Sequence, residues 1–454
     1  MWKRVAGLIC GAFLVGWGGA GLAQSATDIV PASLIPDSYV PHYECARDFY
    51  VDPNRGGADG DGSAAHPWKS VQEANDAQSG SAPVLRGGDC VNLGPGLYAP
   101  QAGVTLTHGG NANAPNGYVV YRSSTPHGAH LLAARKFYAM IDVKTAYVIL
   151  DGLEIDGNNA TNDGEGVAVS GDAAHHHIVV ENCVIHAAGG GGVQMNDSEY
   201  FWVVGNIIYR NALTNTYQES GISIYQPQAA SAFTATPADE ALPFHIIIAG
   251  NRVRDNVELY DCAADHLGCH TDGNGIIIDK TLNVDRANGA PYAGRTLVVG
   301  NVVAHNGGGG VHVYLSEHVT VANNTTFNNR FDVANNGTWR GELSNVDSSD
   351  VTWVNNIAWA QPGETGVLEH NSPILVANTP GHTTTNVTWT TNIIFGADPR
   401  VEAPGYRLAN QISRNPGLID AFQGDLRLVP SSRARRAGTP QPYLTNATPN
   451  IGAY

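Results

Sequence analysis

An all-β solenoid of stacked parallel coils, closed at its N-terminal end by a short helix, is the fold the sequence predicts, and three observations predict it. Short β-branched runs, each followed by Asn, recur as IVVENCVI, FWVVGNII, IIIAGNRV, LVVGNVV, VTVANNTTF, VTWVNNIAW and VTWTTNIIF. The asparagines, at 182, 206, 251, 301, 324, 356 and 392, include intervals of 24 and 23 residues, which give the bare repeat; longer gaps are repeats carrying insertions. A second strand follows several runs after a Gly-rich bend, as Gly166-Val167-Ala168-Val169, Gly192-Val193-Gln194-Met195, Gly221-Ile222-Ser223-Ile224, Gly275-Ile276-Ile277-Ile278 and Gly310-Val311-His312-Val313. No helical period competes. Strand, bend, strand at ~23 residues is a parallel β-helix, each coil burying alternate aliphatic residues under its neighbours.

Each element has its own reason. A repeated Asn at one place in every turn predicts an amide ladder in which Asn182, Asn206, Asn301, Asn324 and Asn356 stack, each side chain bonding those above and below. The opening YVDPNRGGADGDGSAAHPWKSVQEANDA reads as a strand, a Gly/Asp loop and an amphipathic helix near Trp68 to Asp76, with Trp68, Val71 and Ala74 on one face. Such a helix plugs the bare end of a solenoid, which otherwise exposes apolar core and unpaired strand edges.

The flanks assign a compartment. Lys3 and Arg4, the apolar stretch Val5 to Val15 and the small-residue pattern Gly21-Leu22-Ala23 read as a signal peptide over 1–23. An N-terminal extension over 24–45, the β-helix over 46–430 and a tail over 431–454 packed on the solenoid complete the expected layout, and the protein is expected to be secreted or periplasmic. No later segment approaches the ~20 apolar residues of a membrane span. Of six cysteines Cys10 falls in the signal, leaving Cys45, Cys90, Cys183, Cys262 and Cys269, from which two disulfides and one buried thiol are expected.

Composition narrows the partners. Charged residues make up 15%, Gly numbers 53 of 454 and the formal charge is −16. Nucleic acid would be repelled, and no basic stripe offsets this. An anionic glycan would be repelled too, unless a local cation or well-placed Lys and Arg intervene. The length would suit two or three domains, but no linker or change of composition divides it.

The opening just quoted, the following GGDCVNLGPGLY, the Asn-bearing coils and the ending GDLRLVPSSRARRAGTP…NIGAY resemble the secreted right-handed parallel β-helix proteins of the pectate-lyase-like superfamily. The resemblance covers essentially the whole mature chain. It implies the fold, while activity is left among polysaccharide lyases, glycoside hydrolases, epimerases and non-catalytic adhesins.

Function therefore rests on outward positions. In each Gly-[Val/Ile]-x-[Val/Ile] strand the aliphatic residues point inward. The outward sets are Ala168 and Ser170, Gln194 and Asn196, Ser223 and Tyr225, Ile277 and Asp279, His312 and Tyr314. Aromatic, amide, hydroxyl, carboxylate and imidazole groups in one stripe suit a glycan groove, with Tyr225 and Tyr314 stacking on sugars and Gln194, Asn196, Ser223 and Asp279 bonding hydroxyls. The alternative is an ordinary solvated sheet face. Long departures from the coil rhythm at 226–243, 255–271, 281–294 and 328–349 are expected to wall the stripe.

The stretch CHTDGNGIIIDK, residues 269–280, concentrates the chemistry. Asp272 precedes the strand, Asp279 faces out at its far end, and Lys280 begins the turn. Seven residues part the two acids, roughly 20 Å at ~3.3 Å per residue, too far for a retaining glycosidase pair, whose carboxyls sit ~5 Å apart. Aligning the glycines sets Gln218-Glu219 beside Asp272-Gly273, with Asp163 and Glu165 on the same edge two coils earlier. Facing carboxylates require a shared proton or a cation, and calcium held by Glu219 and Asp272 is one reading. The other is that these acids shape Asp-Gly bends. His266, His270 and Asp265 have the spacing of transition-metal ligands in a loop that need not be helical, and His175-His176-His177 reads as a turn.

For many members of the superfamily the resemblance implies β-elimination on a uronic-acid polymer. Lys280 and His312 are candidate bases, and Arg330 is a candidate clamp for the sugar carboxylate. A glycoside hydrolase using Asp279, Glu219 and Asp272, and a non-catalytic glycan-binding protein, are the alternatives. The expected partner is a polysaccharide met by a monomer, with no nucleic acid and no membrane span.

Overall fold

The computed structural model describes residues 34–57, 59–112, 117–169, 175–229, 233–261, 270–286, 289–332, 334, 335, 337, 341–361, 372–408 and 410–454. Among them three sheets of 11, 11 and 10 strands run the length of a solenoid. The first extends from Arg47–Val51 to Val387–Thr390, the second from Gly96–Tyr98 to Gln411–Ser413, the third from Val104–Leu106 to Arg400–Val401. Within these three sheets every pairing is parallel and joins one coil to the next. One coil runs His176–Glu181, Val184–His186, Val193–Asn196, and the following coil opens with Glu199–Val204. The expected parallel β-helix is the fold.

Sequence explains the coil. Val167, Val193, Ile222, Ile276 and Val311, with Val169, Met195, Ile224, Ile278 and Val313, alternate with the outward Ala168, Gln194, Ser223, Ile277 and His312 and are fully buried in one continuous core. Burying each such side chain contributes ~1.5–3 kcal/mol. The sharp corner between the first and second sheets needs a left-handed residue, filled mostly by Gly or Asn: Gly205, Gly250 and Gly300 have φ near +66°, Asn182, Asn323 and Asn355 near +55°, and Thr391 takes the same place before Asn392 at +57°.

The residue after that corner carries the ladder. Asn206, Asn251, Asn301, Asn324, Asn356 and Asn392 stack, each Nδ2 donating to the next Oδ1 at 2.9–3.0 Å. Asn182 does not belong to it, contrary to expectation. In IVVENCVI the left-handed corner is Asn182 itself, so Cys183 takes the ladder position, its N–H donating to Asn206 Oδ1 at 2.8 Å. Asn182 donates instead to Asp151 Oδ1 at 2.9 Å. A second ladder, Asn211–Asn256–Asn306–Asn329, ends on the buried Glu342, whose Oε2 accepts from Asn329 Nδ2 at 2.6 Å.

The helix Val71–Asp76 is shorter than predicted, Trp68 bridging instead to Val51, but Trp68, Val71 and Ala74 are buried in the main core as their spacing implies. Ser70 caps it by accepting from Glu73 N–H. Residues 35–45 cross the outer face of the first sheet, where Tyr39 O accepts from Trp202 Nε1 at 2.8 Å, and Cys45 is joined to Cys90. The C-terminal segment crosses the outer face of the second sheet through Leu426, Leu428, Ile451 and Ala453. Cys183 is a buried free thiol. The expected signal peptide and the Cys262 and Cys269 thiols lie outside the described residues. Among the described residues no helix is long and apolar enough to cross a membrane.

Two loop expectations are corrected. His176 and His177 open a strand rather than a turn, buried among Tyr147, Tyr200 and Phe233, and His177 Nε2 lies 3.0 Å from Asp239 Oδ1. The aromatic surroundings explain the difference, because a buried imidazole pair fills the outer layer against the 226–243 insertion. Phe233 and Leu242 of that insertion therefore pack on the outer face of the first sheet, away from the predicted stripe.

Candidate active site

Parallel register builds the stripe on the third sheet. Ala168, Gln194, Ser223, Ile277 and His312 align in one row across successive coils, and Asn196, Tyr225, Asp279 and Tyr314 in the next. Since side chains alternate along a strand, two core residues per coil force these two rows outward. Ser170 lies outside the described residues. Gln194, Asn196, Ser223, Tyr225, Asp279, Lys280, His312, Tyr314, Glu219 and Asp272 all line one cleft of about 630 Å³.

At one edge Lys280 Nζ is 2.6 Å from Asp285 Oδ2 and 5.6 Å from the centre of the Tyr225 ring. Burial depresses the ammonium pKa, but the bond to Asp285 and the charge of Asp279 outweigh it, and the net direction is up. The ammonium is thus a held cation rather than a ready base. Asp279 sits beside it with Oδ1 buried and unpartnered, and burial pushes its carboxyl up to about 7 against the opposing effect of Lys280. Burial also raises the phenols of Tyr225 and Tyr314, which stay protonated. The rings of His312 and Tyr314 lie 6.0 Å apart, near parallel.

The opposite edge is acidic. Glu165 and Glu219 line this edge together, and Glu219 N–H points to Glu258 Oε2 at 3.4 Å. Burial first, then the neighbouring carboxyls, raises all three: Glu165 to about 7, Glu258 to about 9, Glu219 well above the usual range. Asp272 is more open and accepts from Asn274 Nδ2 and Thr271 Oγ1, each at 2.8 Å, with Gln218 Nε2 at 3.5 Å. Burial and mutual repulsion favour the protonated form of these facing carboxyls. Among the described residues no three oxygens of these acids lie within 4.8 Å of one another, so the set as built does not cage calcium.

Arg330 does not line the cleft. It is buried in the 328–349 insertion, its guanidinium donating to Gly337 O at 3.2 Å, and Gly337 is the residue that reaches the cleft. Its backbone explains this: Arg330 adopts φ +61° and its N–H bonds Asn306 O and Gly308 O, which turns the side chain into the insertion. Asp163 pairs with Lys136 at 3.0 Å, outside the cleft lining. His270 bonds Asp332 at 2.9 Å, while Asp265 and His266 lie outside the described residues. Sequence reasoning missed Glu258 and the exposed Tyr217 at the rim, since both sit in connections that carry no repeat signal.

A family model described as right handed beta helix region matches residues 144–394. A crystal structure of the pectate lyase Pel9A is similar at 14% identity and TM-score 0.55, over 93% of this chain and 99% of that one. An alginate lyase from Paenibacillus sp. str. FPU-7 is similar at 14% identity and TM-score 0.41, over 80% and 97%, and a lacto-N-biosidase from Eubacterium ramulus at 12% and 0.41, over 78% and 57%. No curated protein matches the chain in sequence.

Proposed function

We propose that this chain, which belongs to the right-handed β-helix family, is a polysaccharide-active enzyme that cleaves a uronate-containing glycan by β-elimination. The observation that carries the reading is one cleft holding a fixed cation, an imidazole and two protonated phenols on adjacent coils: Lys280, His312, Tyr225 and Tyr314. The pectate lyase that shares the fold over nearly its whole length supports it.

The roles follow from which group can do what. Lys280, kept protonated by Asp285, neutralises the sugar carboxylate and so acidifies the adjacent C–H. His312 removes that proton. The electron pair forms the new C=C bond as the glycosidic C–O bond breaks, and a phenol of Tyr225 or Tyr314 donates to the departing oxygen. Calcium at Glu219 and Asp272 enters no step here and is tested by chelation.

A second reading rests on Glu165 and Glu219, whose burial raises both carboxyls toward the protonated acid a glycoside hydrolase needs. The mature protein is to be incubated with uronate-containing and neutral polysaccharides, with and without chelator, following ultraviolet absorbance and reducing ends. Unsaturated product absorbing in the ultraviolet is expected. Reducing ends without absorbance would favour hydrolysis, and silence in both would leave a binding protein.

A further inference from the structure

The acidic edge of the cleft is built to receive a donor. Glu165, whose residue is 5% exposed, lines the cleft with Oε2 buried and unpartnered, and Gln194 Oε1 is likewise unpartnered. The Gln194 amide is fixed, because its Nε2 donates to Asn196 Oδ1 at 2.7 Å, so the group it offers is an acceptor. Gly191 forms the floor between them, with no side chain to cover it. A Cβ placed there would crowd Ser220 O at 3.0 Å and Glu219 Oε2 at 3.2 Å and lie 3.8 Å from Gln194 Oε1, while Gly191 O accepts from the N–H of Gly166, the neighbour of Glu165. Acceptors of Glu165, Glu219 and Gln194 thus line one end of the cleft around this bare floor.

Among the described lining residues the basic groups stand elsewhere. Lys280 is at the far edge of its strand, and His312 is three coils along from Gln194, ~14 Å at ~4.8 Å per coil. The cleft is therefore polarised, with a cation for a carboxylate at one end and acceptors with buried carboxyls at the other. A protein of formal charge −16 also repels a purely anionic polymer.

We infer, building on the reading of this cleft as a glycan-cleaving site, that the sugar seated against Glu165, Glu219 and Gln194 carries a free amino group, so that the substrate joins a uronate to an unacetylated hexosamine. A primary ammonium brings three donors and a positive charge to three acceptors, and lets the buried carboxyls ionise on binding. N-acetylation removes the charge, removes two of the donors and adds bulk against a floor that is too crowded at Gly191 even for a Cβ. A glycan bearing both charges also escapes the long-range repulsion that a pure polyuronate meets.

The test is calorimetric titration of the mature protein with a glucosamine tetrasaccharide, its fully N-acetylated counterpart and calcium chloride alone. The free amine is expected to bind at least roughly tenfold more tightly than the acetylated chain, and Glu165→Gln to erase that preference while keeping the wild-type Tm. Equal affinity of the wild-type protein for the two tetrasaccharides overturns the inference, whether or not the variant folds. So does displacement of the amine by calcium, which would make this edge a divalent-cation site. Neither readout involves cleavage, so the absence of unsaturated product from uronate glycans counts against elimination alone.

Discussion

Lys280, on the cleft wall, pairs with Asp285, Nζ to Oδ2 at 2.6 Å, and Asp285 comes from the insertion that follows the Ile276–Asp279 strand. The pair holds the proton on Lys280 that its partial burial would otherwise loosen. Replacing Asp285 with Asn leaves the ammonium without its main support. The alkaline limb of the pH dependence of kcat/KM is then expected to move to lower pH, with acid-side activity retained. An unmoved limb would show that Lys280 charge does not govern turnover.

Glu258 gives folding a pH dependence with a definite sign. Its carboxyl titrates near 4.5 when unfolded and is pushed by burial up to about 9 in the fold. Between those values the folded state binds the extra proton, so stability falls as pH rises, and the loss is complete above about pH 9. Glu165 and Asp279, each raised to about 7, add to the lower half of that window. Tm is expected to drop by ~5 °C or more between pH 5 and pH 9. Glu258→Gln, which keeps an acceptor for Glu219 N–H but cannot ionise, should show a shallower decline in the same scan.

The ladder separates two asparagines that look alike in sequence. Asn301 is fully buried, bonds Asn251 and Asn324, and donates to Ile248 O at 2.9 Å. Asn301→Leu is expected to cost ~1–3 kcal/mol in denaturant unfolding, because both neighbours lose a partner out of reach of water. Asn182, at φ +53° with one bond to Asp151, should tolerate Gly within ~0.5 kcal/mol. Equal costs would mean that stacking, not corner geometry, fixes position 182.

These cases show why the fold was legible and the site only in part. Core and corner recur from coil to coil, so the period, the inward aliphatics and the outward row Gln194, Ser223, Ile277 and His312 can be read by alignment. The second ladder was legible too. Asn211, Asn256, Asn306 and Asn329 each follow a first-ladder Asn by five residues, as in NIIYRN and NVVAHN. The failures fall where one residue is unique. Asn182 was misplaced because a corner Asn and a ladder Asn are one residue apart. Arg330 was misassigned because its direction depends on a left-handed backbone and an insertion, neither of which has a period. Glu258 was missed since only the folding of its loop under Glu219 brings it to the acids.

The stretch DGNGIIIDK contains both kinds of residue, and four substitutions divide them. Gly275 is structural: a Cβ there would lie 2.2 Å from Val303 Cγ1 and 2.9 Å from Asn306 Nδ2, inside the core and against the second ladder. Gly275→Val is therefore expected to unfold the coil or cost well over ~3 kcal/mol. Ile276→Ala empties a fully buried site and should cost ~2–5 kcal/mol. Lys280 and Asp279 stand on the cleft side, outside the core, with the Lys280 ammonium against the Tyr225 ring and Asp285. Lys280→Ala and Asp279→Asn should change stability by no more than ~1 kcal/mol. If the carboxylate of the substrate is neutralised by Lys280, its removal lowers kcat ~10²–10³-fold, the loss typical of one preorganised charge at a reacting group. Asp279→Asn is expected to be milder, since a carboxyl held near neutrality by burial is replaced by a neutral amide of the same shape. A Lys280→Ala protein with full turnover on its own substrate would remove the cation from the reaction and leave His312 and the two tyrosines to account for it.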